Sequence, residues 1–142
     1  MAKKKTWEQK FNVNFEPRVE TSDKDFAGVR TGEKMLIPTP ALIDDYIRQM
    51  PEGSTADAIR IRKDLAANFH ADTTCPLTTG IFLRIVAERA LEKLNAGEDS
   101  NNITPFWRVI DQGSPTAKKL SCGISFIEKQ RSKEEKNKIK NG

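Results

Sequence analysis

The sequence predicts a mostly α-helical domain with a small β element, arranged as a winged helix-turn-helix. Three observations predict it: three amphipathic helices between residues 39 and 97, a short polar turn joining the second to the third, and two strand-like segments after residue 105. With 142 residues, 37% of them hydrophobic and 31% charged, the chain suits one modest core in one soluble domain.

Thr39-Pro40 opens the first of these helices, with threonine as N-cap and proline at the first helical position. Leu42, Ile43, Tyr46, Ile47 and Met50 then fall on one stripe, and Pro51-Glu-Gly53-Ser54 ends it. A second helix is predicted from Asp57 to Phe69, burying Ile61, Leu65, Ala66 and Phe69. His70 falls at its end, and the polar connector 71–75 leads to a third helix from Pro76 to Gly97. That helix turns Phe82, Val86, Ala90 and Leu94 inward, beside Leu83, Ala87 and Leu91. Asp99-Ser-Asn-Asn102 reads as a loop. Phe106–Ile110 has strand composition, Asp111-Gln-Gly113 can turn the chain, and Lys119-Leu120 returns it as a second short strand. A last helix begins near Ile124, with Phe126 and Ile127 facing in.

The two ends read differently from this domain, taken as residues 37–131. Residues 1–36 look irregular, because their aromatic residues follow neither helical nor strand period and Pro17, Gly28 and Gly32 interrupt them. Residues 132–142 form a basic, apolar-poor tail with the composition of a disordered segment. It is either a solvated tail or an electrostatic arm for a phosphate backbone.

The net charge of +4 invites a nucleic-acid partner, yet its distribution is uneven. Residues 1–37 carry eight Lys/Arg against six Asp/Glu, residues 38–128 ten against twelve, and residues 129–142 six against two. Cys75 and Cys122 stand 47 positions apart without a CxxC pair, which excludes a disulfide framework or thiolate zinc site. His70 is the only histidine, so neither a histidine metal cluster nor a cofactor is expected. No stretch reaches the roughly 20 apolar residues that cross a bilayer, so no membrane contact is expected. The N-terminus lacks the apolar run of a secretory signal, and a cytoplasmic location follows by elimination.

In one order the chain presents the helix Ala41–Met50, Pro51-Glu-Gly53, Ile61-Arg-Lys-Asp-Leu-Ala66, a helix after Pro76, and Thr104-Pro-Phe-Trp-Arg-Val-Ile110. Over about residues 37–131 this resembles the C-terminal, DNA-binding domain of methylated-DNA–protein-cysteine methyltransferases. It is closest in type to their cysteine-less relatives, the alkyltransferase-like proteins. The repair enzymes carry Pro-Cys-His-Arg-Val where this chain has Pro105-Phe-Trp-Arg-Val109. The resemblance thus places Phe106 at the cysteine position and Trp107 at the histidine position, and retains Arg108. Glu128 is the candidate for the glutamate that completes the family's Cys-His-Glu network. Arg62 takes the place of the helix-turn-helix tyrosine, and Gly80 that of the arginine that fills the vacated base stack, with Arg84 one turn further on.

The chemical consequence is direct. Alkyl transfer needs a thiolate, and an imidazole beside it to form one at neutral pH. Phe106 has no nucleophilic atom and Trp107 offers only an N–H donor. The resemblance therefore implies a non-catalytic protein that binds double-stranded DNA, with alkylated guanine as the lesion such relatives recognise. Its candidate contacts are Arg62, Lys63, Thr78, Thr79 and Arg84; Phe106, Trp107, Arg108 and Glu128 mark the pocket. A protein-interaction module on the same fold, and residual alkyl transfer through Cys75 or Cys122, are the rival readings. As strand residues, Phe106 and Trp107 should point to opposite sides. One would enter the core, while the other would either line an open pocket or fill it.

Overall fold

The computed structural model describes residues 5–141 of the chain, and among these residues helices predominate beside one small sheet. The helices are α1 (Trp7–Phe11), α2 (Pro40–Arg48), α3 (Ala58–Asn68), α4 (Pro76–Asn95), α5 (Pro115–Lys119) and α6 (Ile124–Asn141). The sheet has strands β1 (Arg18–Thr21), β2 (Lys34–Ile37) and β3 (Thr73–Thr74) in that spatial order. No helix is long and apolar enough to cross a membrane among the described residues.

The central helices form where capping and periodicity place them. Thr39 Oγ1 accepts from the Leu42 N–H at 3.2 Å, and Asp57 caps α3 by accepting from the Arg60 N–H at 2.8 Å. His70 lies past the end of α3 with φ of +54°, the left-handed position that commonly follows a helix C-terminus. Ile43, Ile47, Ile61, Leu65 and Val86 are essentially inaccessible and meet in one core with Leu36 from β2 and Ile127 from α6. The Tyr46 hydroxyl donates to Asp64 at 2.6 Å, tying α2 to α3.

Residues 5–36 contain regular elements where an irregular segment is expected; residues 1–4 lie outside the described residues. β1 runs antiparallel to β2, with Arg18 opposite Ile37 and Thr21 opposite Lys34. A tight turn through Ala27 and Gly28, both at positive φ, lets Phe26 and Val29 pair across it. β3, from the connector between α3 and α4, adds to β2 in parallel, with Met35 opposite Thr73. The boundary expected after residue 36 therefore falls inside β2. The sheet lies at this end of the molecule and not after residue 105.

The wing hairpin expected after residue 105 is not found among the described residues. Phe106–Arg108 is a single 3-10 turn, and the Val109 and Ile110 N–H groups both return to the Phe106 carbonyl, at 3.0 and 2.9 Å. The expected return strand at Lys119-Leu120 ends α5 instead. Ser114 accepts from the Ala117 N–H, with Pro115 in the first turn. The tail expected from residue 132 onward is the continuation of α6, which has no proline or glycine before its end. Its last residue, 142, lies outside the described residues.

α1 is held against α4 by a second use of capping. Thr6 and Gln9 form a reciprocal capping box, leaving the Trp7 and Glu8 N–H groups, which donate to the two carboxylate oxygens of Glu92 at 3.0 Å each. Arg89 adds an ion pair to Glu8 and lies over the Phe11 ring at 3.9 Å. Glu92→Ala is expected to cost about 1–2 kcal/mol and to release α1. Amide exchange should then quicken at Trp7–Phe11 while α2 and α3 keep their protection; unchanged exchange in α1 would contradict this account.

Candidate functional site

The 3-10 turn decides the character of the pocket region. Phe106 is fully inaccessible and Trp107 is 4% exposed, so both rings point inward rather than to opposite sides. Phe126 from α6 stacks on Phe106 with centroids 5.9 Å apart, and the Trp107 ring meets both edge-on at 5.4 and 6.1 Å. The place where the resemblance puts a nucleophile is thus filled by three aromatic rings.

A buried carboxylate holds this turn, and it is Glu134 rather than Glu128. Glu128 is exposed on α6, whereas Glu134 is buried six residues later. Trp107 Nε1–H donates to Glu134 Oε2 at 2.7 Å, and the Gly53 N–H donates to Oε1 at 3.0 Å. The Arg108 guanidinium reaches the same carboxylate through Nε at 3.0 Å and Nη2 at 2.9 Å, and donates from Nη1 to the Met50 carbonyl at 2.7 Å. Arg131, one turn before Glu134, donates to the Trp107 carbonyl at 2.6 Å. Ile127, Arg131 and Glu134 share a face at i, i+4 and i+7, the register that distinguishes Glu134 from Glu128 in the sequence.

Burial opposes the charged form of Glu134. The hydrogen bonds from Arg108, Gly53 and Trp107, together with the Arg108 charge, outweigh it and hold the carboxyl below its ordinary value of 4.5. Arg108 is accordingly a structural cation at this centre.

Neither sulfur lies in the turn. Cys75 is buried at the start of α4. The Cys122 thiol donates to the Gly123 carbonyl at 3.3 Å, and burial, aided by the Glu88 carboxylate, pushes it above its ordinary value.

The other candidate residues lie on α3 and α4. Lys63 is exposed and Arg62 half-buried, and neither forms an ion pair among the described residues. Thr79 is 1% exposed and its hydroxyl donates to the Cys75 carbonyl at 2.7 Å, which removes it from any contact surface. Thr78 is half-buried and its hydroxyl turns to the same carbonyl at 3.5 Å. Arg84 lies over the Trp7 ring at 5.4 Å, and its Nε is enclosed without a hydrogen-bond partner among the described residues. Glu88 and Glu92 stand four and eight residues after Arg84, a spacing that suits surface ion pairs, yet neither pairs with it. Glu88 is buried and accepts from the Ser121 hydroxyl at 2.6 Å, while Glu92 caps α1.

Of these residues Arg84 alone borders a cleft of about 500 Å³ between α1, α4 and α5, which the sequence pattern did not reveal. Trp7, Lys10, Leu77, Ile81, Arg84 and Lys119 are among its walls, so three elements distant in sequence contribute one cation each. Leu77 and Ile81 stand at its edge, 60% and 57% exposed.

Glu134→Ala is expected to cost about 3–5 kcal/mol, because it leaves a buried guanidinium and an indole N–H unpaired. Glu128→Ala should change stability by no more than about 0.5 kcal/mol in the same denaturant titration. Because Glu134 titrates below 4.5 in the folded chain, its contribution is complete above that pH and is lost as pH falls through the lowered value. Acid unfolding followed by circular dichroism should therefore lose part of its pH dependence in Glu134→Gln; equal acid sensitivity in the two proteins would refute this. Comparison with protein-family models, with curated proteins and with solved structures finds no match to this chain.

Proposed function

We propose that this chain is a DNA-binding protein of the alkyltransferase-like type, which docks on a duplex through α3 and α4 and transfers no alkyl group. The observation that carries the reading is the disposition of charge on these helices. Arg62, Lys63 and Arg84 have no ion-pair partner among the described residues, while the acids of α4 serve internal contacts. A helix surface left cationic in this way suits a phosphate backbone. In this reading α3 and α4 act as a helix-turn-helix without a wing, because the segment after residue 105 is a turn and a helix.

The Trp107–Glu134 hydrogen bond supports the family resemblance, since an indole N–H there meets a carboxylate as the histidine of the repair enzymes would. The aromatic filling around Phe106 and the absence of sulfur from the turn support a binding role. The exposed aliphatic pair Leu77 and Ile81 favours a second reading, in which the same surface meets a protein partner.

Fluorescence anisotropy with plain and alkylated duplexes is expected to show binding that weakens steeply with salt. Arg62→Ala combined with Arg84→Ala should lower affinity by about tenfold or more. Intact-protein mass spectrometry after incubation with methylated duplex should show no alkyl adduct. Absence of binding at low salt, or an unaltered double variant, would refute the reading. Co-purification with a protein partner, together with salt-independent behaviour, would favour the second.

A further inference from the structure

We propose that the cleft between α1, α4 and α5 is a phosphate-binding pocket in which Lys10, Arg84 and Lys119 hold the phosphate group. The walls supply three cations, and no carboxylate is among the described residues that line them. Glu8, the acid of α1, pairs with Arg89, and neither is among the lining residues. Glu92 is occupied by the N-terminus of α1. Charge of one sign is thereby concentrated in a concave site, where low-dielectric walls strengthen the attraction for an anion.

Arg84 is the centre of the argument. Arg48, Arg60, Arg89, Arg108 and Arg131 each donate to a carboxylate or a carbonyl. Arg84 makes no hydrogen bond to the described residues, although its Nε is enclosed. Its guanidinium is held in place by the Trp7 ring, which also carries Lys10 Nζ at 4.1 Å. With Nε enclosed, the two terminal nitrogens of this unpaired guanidinium are the donors it can offer a tetrahedral oxyanion.

α4 opens on the same cleft. Pro76, Leu77 and Gly80 line it, and no side chain caps that N-terminus, so the positive end of a 20-residue helix is left to the site. Thr116 of α5 adds a hydroxyl to the lining. Lys119 lies in the last turn of α5 and is exposed, and Lys10 is likewise exposed on α1. Both can adjust to a ligand without disturbing the core.

The phosphate group can belong to a nucleic-acid backbone or to a free phosphorylated molecule. The first source rests on the DNA-binding reading above; the second does not. In the first case α1, which lies outside the stretch resembling the alkyltransferase-like proteins, extends the contact surface of α4.

Two titrations test the proposal. In the first, amide chemical shifts are followed as inorganic phosphate is added in chloride buffer to the full chain. Shifts are expected at Lys10, Leu77, Gly80 and Thr116, with binding weakened about tenfold or more in Lys10→Ala with Lys119→Ala and in Arg84→Gln. In the second, duplex binding is measured against salt, and the double lysine variant should lose about two from the logarithmic salt slope. Phosphate shifts absent from the cleft, or unaltered in both variants, overturn the pocket. Shifts in the cleft with an unchanged duplex slope support the pocket and assign it to a free phosphorylated ligand. Shifts in the cleft without any duplex binding support the pocket and remove the DNA reading instead.

Discussion

The buried Glu134 carboxylate is the contact from which the rest of the C-terminal half follows. It receives the Trp107 indole, the Arg108 guanidinium and the Gly53 N–H, and so binds the 3-10 turn, the turn after α2 and α6 into one unit. A buried ion pair adds little net stability when compared with apolar packing, but losing one partner is costly. That asymmetry ties the local backbone to the carboxylate. Residues 106–108 curl to present an indole and a guanidinium to one acceptor, which a strand with alternating side chains could not do. The same curl sends Phe106 inward to stack on Phe126, so that aromatic rings fill the space around the turn.

Charge on α4 follows from the same kind of internal commitment. In the linear sequence Arg84, Glu88 and Glu92 are four apart and read as a self-neutralising face. In the folded chain Glu88 turns to Ser121 and Glu92 to the backbone of α1, each withdrawn by a partner remote in sequence. Arg84 is left without either. The mild acidity of the middle of the chain therefore does not describe its surface, and the cationic cleft arises where the sum of charges gives no hint of it.

The helices that sequence reading finds are those whose evidence is local. Thr39-Pro40 and Asp57 cap α2 and α3, and the stripes of Ile43, Ile47, Ile61 and Leu65 bury as their spacing demands. β1 escapes because all four residues are exposed, so no apolar alternation marks it. β3 is two residues long and exists only because β2 lies beside it. Ser114-Pro115 carries the same cap-and-proline pattern as Thr39-Pro40 and announces α5, but the strand composition of the preceding segment masks it. The tail looks disordered by composition. Its helix is instead anchored by Glu134, and by Asn137, which donates to Glu52 at 2.8 Å.

Residue order alone was enough to place α2, α3 and α4 and to establish that the Pro105–Val109 segment contains no sulfur nucleophile. Helix caps act over three or four residues and side-chain chemistry is a property of the residue itself, so both are readable without a fold. Folding in three dimensions settled which carboxylate meets Trp107, which carboxylate holds α1 and which cations gather around Trp7. These depend on pairs separated by 26 or 27 positions, as for Arg108 and Trp107 with Glu134, or by 85, as for Trp7 with Glu92. At such separations the partner is selected by packing of the intervening elements, and no local pattern encodes it.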